Sequence, residues 1–245
     1  KEIMLLGQNV DCWHGLGLDG VHEWGLARLF EEVAKIDGLE RIRYTTSYPV
    51  DITDDVIAAH RDIDKLMPYI HLPIQAGSDA VLKAMNRRYT VDQYLKVVDK
   101  LRAARPDIAI SSDFIVGFPG ETDADFEKTV AVADKVRYAQ SYSFKYSARP
   151  GTPASLMKNQ IPEAVKVNRL AILQEKLLES QKAFNESFMG KSLKVLFVEA
   201  HDGQVSGYSP YLQNVHVTTD APLLGQIKNV RITRASASSL SGDVI

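Results

Sequence analysis

Short runs of β-branched and other apolar residues alternate with amphipathic stretches from the start of the chain to about residue 150, the pattern of βα units on a parallel sheet. Strands are expected at residues 3–6, 41–45, 69–72, 108–116 and 141–146, and helices at 24–36, 54–60, 78–85, 91–104 and 123–136. Within 91–104, Tyr94, Val97, Val98 and Leu101 fall at helical spacing while Asp92, Lys96, Asp99 and Lys100 lie elsewhere, which makes one apolar face. Thr90 with Gln93 fits a capping box, and Thr122 with Asp125 fits one more loosely. The expected fold class is therefore α/β, with parallel strands in an open sheet or a partial (β/α) barrel.

After Pro162 the apolar residues Leu170, Leu173, Leu177, Phe184 and Phe188 recur at three-to-four spacing or its multiples, and Gly190 stands where a left-handed helix cap belongs. Beyond Gly190 the grammar changes to strands at 193–198, 215–218 and 227–233 with turn residues and no helix between them. This predicts a division into residues 1–187 and a small all-β module at 188–245, the size of a five-stranded barrel.

Composition narrows the function classes. With 245 residues, 45% of them hydrophobic, the chain has material for a full core, and disorder is excluded as its main state. Its apolar runs are strand-sized, whereas a spanning helix needs about 18 or more apolar residues, so no membrane segment is expected. The formal charge of −2 gives no global attraction to nucleic acid, and any RNA contact must come from local patches. A single cysteine, Cys12, cannot form an internal disulfide; with no charged-then-apolar leader, a reducing cytoplasm is the expected setting. The chain starts at Lys1 and enters a strand almost at once, as a fragment of a longer protein or its ordered part would.

The candidate chemistry sits at the strand ends. The strands run into Gly7-Gln8-Asn9, Thr45-Thr46-Ser47-Tyr48-Pro49, Pro73-Ile74-Gln75-Ala76-Gly77-Ser78, Gly117-Phe118-Pro119-Gly120-Glu121-Thr122 and Ser147-Ala148-Arg149-Pro150-Gly151-Thr152. Parallel α/β folds bind ligands at the C-terminal ends of their strands, so polar groups gathered there point at one mouth. One such segment is most simply a turn; several together argue for a site. Arg149 is a candidate for a phosphate or carboxylate of the substrate. The Arg87-Arg88 pair reads equally as a solvated helix end or an anion contact. Cys12 has no evident partner, and neither His60 nor His71 has a ligand-spaced companion, so metal binding by this chain alone is not expected. In the β module, Lys191, Lys194, Lys228, Arg231 and Arg234 hint at an RNA-binding face.

Read in series, the segments 5–10, 45–49, 71–79, 83–90, 113–122 and 146–153 resemble the radical-SAM methylthiotransferases, and among them the tRNA-acting, MiaB-type branch. The module at 188–245 is similar to a TRAM domain, and its stretch 207–217 to that of the tRNA-acting branch. The resemblance implies S-adenosylmethionine as cofactor, two [4Fe–4S] clusters, an electron donor, and tRNA as partner. The implied reaction adds a methylthio group to C2 of an N6-isopentenyl adenosine beside the anticodon. It also implies roles by position: Gly7, Gln8 and Asn9 at the methionine amine; Ser47, Gln75, Ser78 and Arg87 at the ribose and carboxylate. Gly117, Pro119, Gly120 and Glu121 would cradle the adenine through their backbone, with Asp113 supporting the strand end.

The departure from the family is large, because its members carry three cysteines in a C-x-x-x-C-x-x-C loop after a first strand and three more in an N-terminal domain. This chain has neither, and Cys12 alone cannot supply cluster thiolates. Three rivals remain: the related enzyme that modifies an aspartate of a ribosomal protein, a non-catalytic RNA-binding fragment, and an ordinary aldolase or hydrolase barrel. The last predicts a Lys, Glu or metal-ligand set at the strand ends that the sequence does not provide.

Overall fold

A computed structural model describes all of residues 1–245. The first part runs β1 (Glu2–Leu5), β2 (His14–Leu16), β3 (Glu23–Gly25), α1 (Leu26–Ala34), β4 (Arg41–Tyr44), α2 (Asp54–Asp62) and β5 (Tyr69–His71). It continues with α3 (Asp79–Ala84), α4 (Val91–Ala104), β6 (Ala109–Val116), α5 (Asp123–Val136), β7 (Gln140–Lys145) and α6 (Glu163–Glu186). β1 pairs with β4, β5 with β6, and β6 with β7, all in parallel. The Ile42–Leu66 bridge carries the hydrogen bonding from β4 to the segment leading into β5. The parallel α/β architecture is thus as the periodicity predicts. Both capping boxes are complete, Thr90 with Gln93 and Thr122 with Asp125, so the shorter Asp serves as well as Gln.

Two local features depart from expectation. Residues 24–25 belong to β3 of an antiparallel hairpin with β2, and the helix starts at Leu26. The Trp24 indole lies so close over Gly17 that a Cβ there would sit 2.1 Å from Trp24 Nε1, and this packing holds Trp24 out of the helix. The long α6 also serves two cores. Leu173 and Leu177 are buried in the α/β core, whereas Phe184 and Phe188 pack on the β module, so one apolar stripe joins both parts.

Beyond α6, strands β8 (Ser192–His201), β9 (Gln204–Tyr208), β10 (Asn214–Thr218), β11 (Ile227–Ala235) and β12 (Ser239–Val244) close into a barrel in the order β10-β12-β11-β8-β9. Val195, Phe197, Val215, Val230 and Leu240 fill its interior. Gly190 takes the left-handed conformation (φ 75°), and its N–H donates to Ile232 O at 2.8 Å.

Alternation along the parallel strands gives their sheet two faces. Ile42, Tyr44, Ile70, Leu72, Ile110 and Phe114 pack into the helix-side core. Their neighbours Arg41, Arg43, Tyr69, His71, Ser111 and Asp113 therefore face away from the helices, as do Glu2, Met4, Ile115, Tyr142 and Phe144 by register. The β barrel closes over the N-terminal end of this second face. Arg41 donates to Lys194 O (2.6 Å) and Tyr208 O (2.9 Å), and Arg43 to Ser209 O (2.7 Å) and Pro210 O (2.9 Å). The Glu2 carboxylate lies 3.0 Å from Arg43 Nε. Tyr69, Ala109 and Ala139 pack with Phe184, Tyr211 and Leu212. Arg41 and Arg43 are only 3% and 2% exposed, which is tolerable because one carboxylate and four carbonyls replace the water of their guanidinium groups. Burial pulls the pKa of both below the ordinary arginine value. No helix is long and apolar enough to cross a membrane.

Candidate functional site

The segments after the five parallel strands form one connected rim. Asn9 Nδ2 donates to Asp51 Oδ2 at 2.6 Å, and the Asp11 carboxylate accepts from Tyr48 N–H at 2.9 Å and from the Ser47 hydroxyl at 3.4 Å, tying the first segment to the second. The Tyr48 ring stands edge-on to Tyr89 at 5.3 Å, and the Tyr89 hydroxyl donates to Ile74 O at 3.0 Å, tying the second to the third. Gln75 N–H donates to Asp113 O and Gln75 O accepts from Ile115 N–H, each at 2.9 Å, tying the third to the fourth. Phe118 stands edge-on to Tyr146 at 5.2 Å and reaches the fifth. A cleft of about 780 Å³ opens on this rim, lined among others by Arg87, Phe118, Phe144, Tyr146 and Arg149.

Strain and unpaired polar atoms mark the same rim. Thr46 (φ 72°) and Gln75 (φ 71°) are non-glycine residues in the left-handed region, while Asn86 (φ 59°) takes it as the ordinary cap after α3. Such conformations cost about 1–3 kcal/mol each and collect at ligand clamps. Asn9 Oδ1 and the Tyr146 hydroxyl are buried without hydrogen-bond partners. They are two of eight buried side-chain atoms without such a partner, and their place on the rim suits a ligand that brings its own donors and acceptors. The Asp11 carboxyl is pushed up to about 6, chiefly by burial, against the lowering effect of the Tyr48 N–H and Ser47 contacts.

The residues singled out from the sequence divide into two groups. Gly7, Gln8, Asn9, Arg87 and Arg149 lie on the rim, Arg87 and Arg149 lining the cleft, with Ser47 and Gln75 buried just beneath it. Ser78 and Glu121 are committed within the chain. The Ser78 hydroxyl donates to Asp125 Oδ1 at 2.6 Å, and Glu121 Oε1 accepts from Gly117 N–H at 2.9 Å and Arg169 Nη1 at 2.8 Å. Side chains of the chain itself pack on the Cα side of the two glycines. A Cβ at Gly120 (φ 86°) would sit 2.3 Å from Asn159 Nδ2, and one at Gly117 (φ 71°) would sit 2.4 Å from Lys166 Cγ. These glycines serve a left-handed turn under the chain's own side chains, and Pro119 is buried within it. Asp113 sits inside β6 and braces the turn after β5 by its backbone carbonyl; its carboxylate lies 3.4 Å from His71 Nε2.

The aromatic links Tyr48–Tyr89 and Phe118–Tyr146 and the buried Asp11 escaped the sequence reading. Their only signal was nearness to the glycine-rich segments, since a single tyrosine or aspartate in a loop carries no period. In the β barrel Lys191, Lys194, Lys228, Arg231 and Arg234 are all exposed. Lys194 and Arg231 point outward on the neighbouring strands β8 and β11, whereas Lys228 shares the phase of the buried Val230. Arg231 stands opposite Asp243, which dilutes the basic face.

The family model described as Radical SAM superfamily matches residues 1–133. The chain belongs to the radical SAM superfamily. It is 55% identical over 249 residues to the tRNA-2-methylthio-N(6)-dimethylallyladenosine synthase of Maricaulis maris, covering 100% of this chain and 55% of that protein. Proteins of the same name from Rickettsia canadensis and Agrobacterium fabrum are 52% and 53% identical, each across 100% of this chain and 55% and 54% of their own length. This radical-SAM chain thus spans about half the length of the curated relatives it matches. Among solved structures, coproporphyrinogen III oxidase (HemN) of Escherichia coli, a radical SAM enzyme, is similar at 16% identity and a TM-score of 0.49, over 64% of this chain and 37% of that one.

S-adenosylmethionine fits the rim: the unpartnered Asn9 Oδ1 is an acceptor for an ammonium, and Arg87 in the cleft is a donor for a carboxylate. A [4Fe–4S] cluster does not fit the side chains present, because cysteine thiolates hold such clusters and Cys12 is the one cysteine. No three His, Cys, Asp or Glu side chains come together as a metal site.

Proposed function

We propose that this chain is the core and RNA-binding part of a radical-SAM tRNA methylthiotransferase that adds a methylthio group to C2 of N6-isopentenyl adenosine beside the anticodon. The observation that carries this reading is the identity of 52–55% across essentially the whole chain to synthases named for that nucleoside. The connected rim at the strand ends, with its strained backbone and unpaired Asn9 and Tyr146 atoms, supports the use of S-adenosylmethionine there. That cofactor, when bound, supplies one-electron chemistry able to activate an unreactive C–H bond. Asn9 and Arg87 hold its amino acid end, Gln75 and Ser47 shape the floor, and Arg149 takes an anionic group of the substrate. Both [4Fe–4S] clusters are held by residues outside these 245, and a reductant of the cytoplasm supplies the electrons.

In the same reading residues 1–187 are a partial radical-SAM barrel and 188–245 a TRAM domain, with Lys191, Lys194, Lys228, Arg231 and Arg234 contributing to tRNA binding. The closed five-stranded barrel supports the second assignment. The test is expression of the full-length protein in a bacterial strain that lacks its own 2-methylthio-adenosine modification, followed by mass spectrometry of tRNA nucleosides. Methylthiolated isopentenyl adenosine is the expected product. Unmodified tRNA with a methylthiolated ribosomal-protein aspartate would replace the reading with the related enzyme, and modification of neither would favour a non-catalytic RNA-binding role.

A further inference from the structure

The β barrel and Phe184 of α6 cover only the N-terminal end of the sheet face turned away from the core helices, and the C-terminal end, bordered by α6 along β7, carries an arrangement that the fold does not use. Tyr142 and Phe144 are neighbours on one face of β7, with their side chains 46% and 55% exposed although each sits in the middle of a regular strand. Across the ladder Asp113 stands opposite Tyr142, and Ile115 opposite Phe144. A hydrogen-bonded chain orients His71 beside the carboxylate: the Tyr69 hydroxyl meets Ser111 Oγ at 2.7 Å, Ser111 Oγ meets His71 Nδ1 at 2.8 Å, and His71 Nε2 then lies 3.4 Å from Asp113 Oδ2. Phe144 also lines the 780 Å³ cleft, whose charged residues include Arg87 and Arg149.

Two exposed rings on a sheet surface, a carboxylate acceptor beside them and guanidinium groups at one end match the chemistry of a nucleotide. Its base stacks on aromatic faces, its edge N–H donates to a carboxylate, and its phosphate or ribose end meets the cations. We propose that Tyr142 and Phe144 form the stacking platform for the RNA base to be modified, with Asp113, positioned by His71, accepting an N–H from that base. This rests on the tRNA reading above and names the part of the site that would hold the target base. A single base displaced from its stack fits such a platform because the barrel already closes the other end of the face.

The test is a titration of the full chain with a fluorescent RNA stem-loop carrying either N6-isopentenyl adenine (the adenine form) or an abasic ribose at the target position. Wild type is expected to bind the adenine form roughly tenfold more tightly, the size of one base–aromatic stack. In the Tyr142→Ala/Phe144→Ala double variant that ratio is expected to fall close to one while affinity for the abasic form stays the same; each single variant loses part of it. Tyr142→Phe, which keeps the ring, is expected to retain the ratio. Persistence of the full ratio in the double variant overturns the platform and leaves the tRNA reading standing. Equal binding of both forms by wild type overturns the platform as well, and failure to bind either stem-loop overturns it together with the tRNA reading. Loss of S-adenosylmethionine affinity in the variants with the RNA ratio intact would put the cofactor on the rings instead and overturn the proposal.

Discussion

The two ends of the sheet face turned away from the core helices have the same alternation of strands and opposite fates. At the N-terminal end Glu2, Arg41, Arg43 and Tyr69 are covered by the β barrel, every charge meets an opposite charge or a carbonyl, and the surface is closed to solvent. At the C-terminal end Met4, Leu6, Tyr142 and Phe144 remain exposed, the backbone is strained at Thr46 and Gln75, and the buried acid Asp11 has no cation beside it. The closed end spends its polar groups on stability. The open end leaves its rings exposed and the Asn9 Oδ1 and Tyr146 hydroxyl atoms without a partner, as a surface that waits for a ligand must.

The largest effect is expected at Arg43. Arg43→Met leaves the buried Ser209 and Pro210 carbonyls without their donor and the Glu2 carboxylate with Arg41 alone at 3.6 Å, and should cost about 3–5 kcal/mol in denaturant unfolding. A variant as stable as wild type would mean that the barrel does not depend on this anchor, and the contrast between the two ends would collapse.

At the open end the corresponding test is pH. Native Asp11 keeps its proton up to about pH 6, whereas the unfolded residue releases it near 3.8, so unfolding releases a proton within that window. Stability should therefore fall by about 2–3 kcal/mol as pH rises from about 4 to about 6, and stay level above that as far as this group is concerned. Asp11→Asn should abolish that slope; an Asp11 carbon resonance titrating near 4 would show that the carboxyl is an ordinary one.

A smaller pair sharpens the comparison by size-matched tyrosines. Tyr211, packed on Phe188 at 4.9 Å and hydrogen-bonded to Asp107 at 2.9 Å, should cost about 2 kcal/mol when changed to Ala. Tyr142, exposed on the open end, should cost under about 0.5 kcal/mol for the same change. Equal losses in thermal unfolding would argue that both ends are structural. The smallest expected effect concerns the barrel surface: Lys194, Arg231 and Arg234 changed together to Ala should flatten the salt dependence of tRNA binding by roughly two to three units in log–log slope. An unchanged slope would remove that surface from the RNA interface.

Much of the α/β part was legible because its information is local. The face of α4, the two capping boxes and the strand runs each depend on residues a few positions apart, and the structure reproduces them nearly to the residue. Glycine-rich strand ends pointed to the rim for the same reason. What packs on Gly117 and Gly120 was not legible, since Lys166 and Asn159, which lie over them, come from a distant part of the chain. The docking of the stretch 207–217 on Arg41 and Arg43 was not legible in the sequence, because the arginines lie more than 150 positions away.

By itself the sequence determined which segments become helices and strands, because propensity, capping and apolar period are set over short windows. Only the tertiary structure decided which face of each strand is covered. Arg-Ile-Arg-Tyr in β4 and Tyr-Ser-Phe in β7 both alternate, and alternation assigns residues to two faces without saying what lies on either. Docking of a barrel built from residues more than 150 positions away buries Arg41 and Arg43 and stops short of Tyr142 and Phe144. Burial is a long-range property of packing, and it separates a buried arginine anchor from an exposed aromatic platform on one sheet.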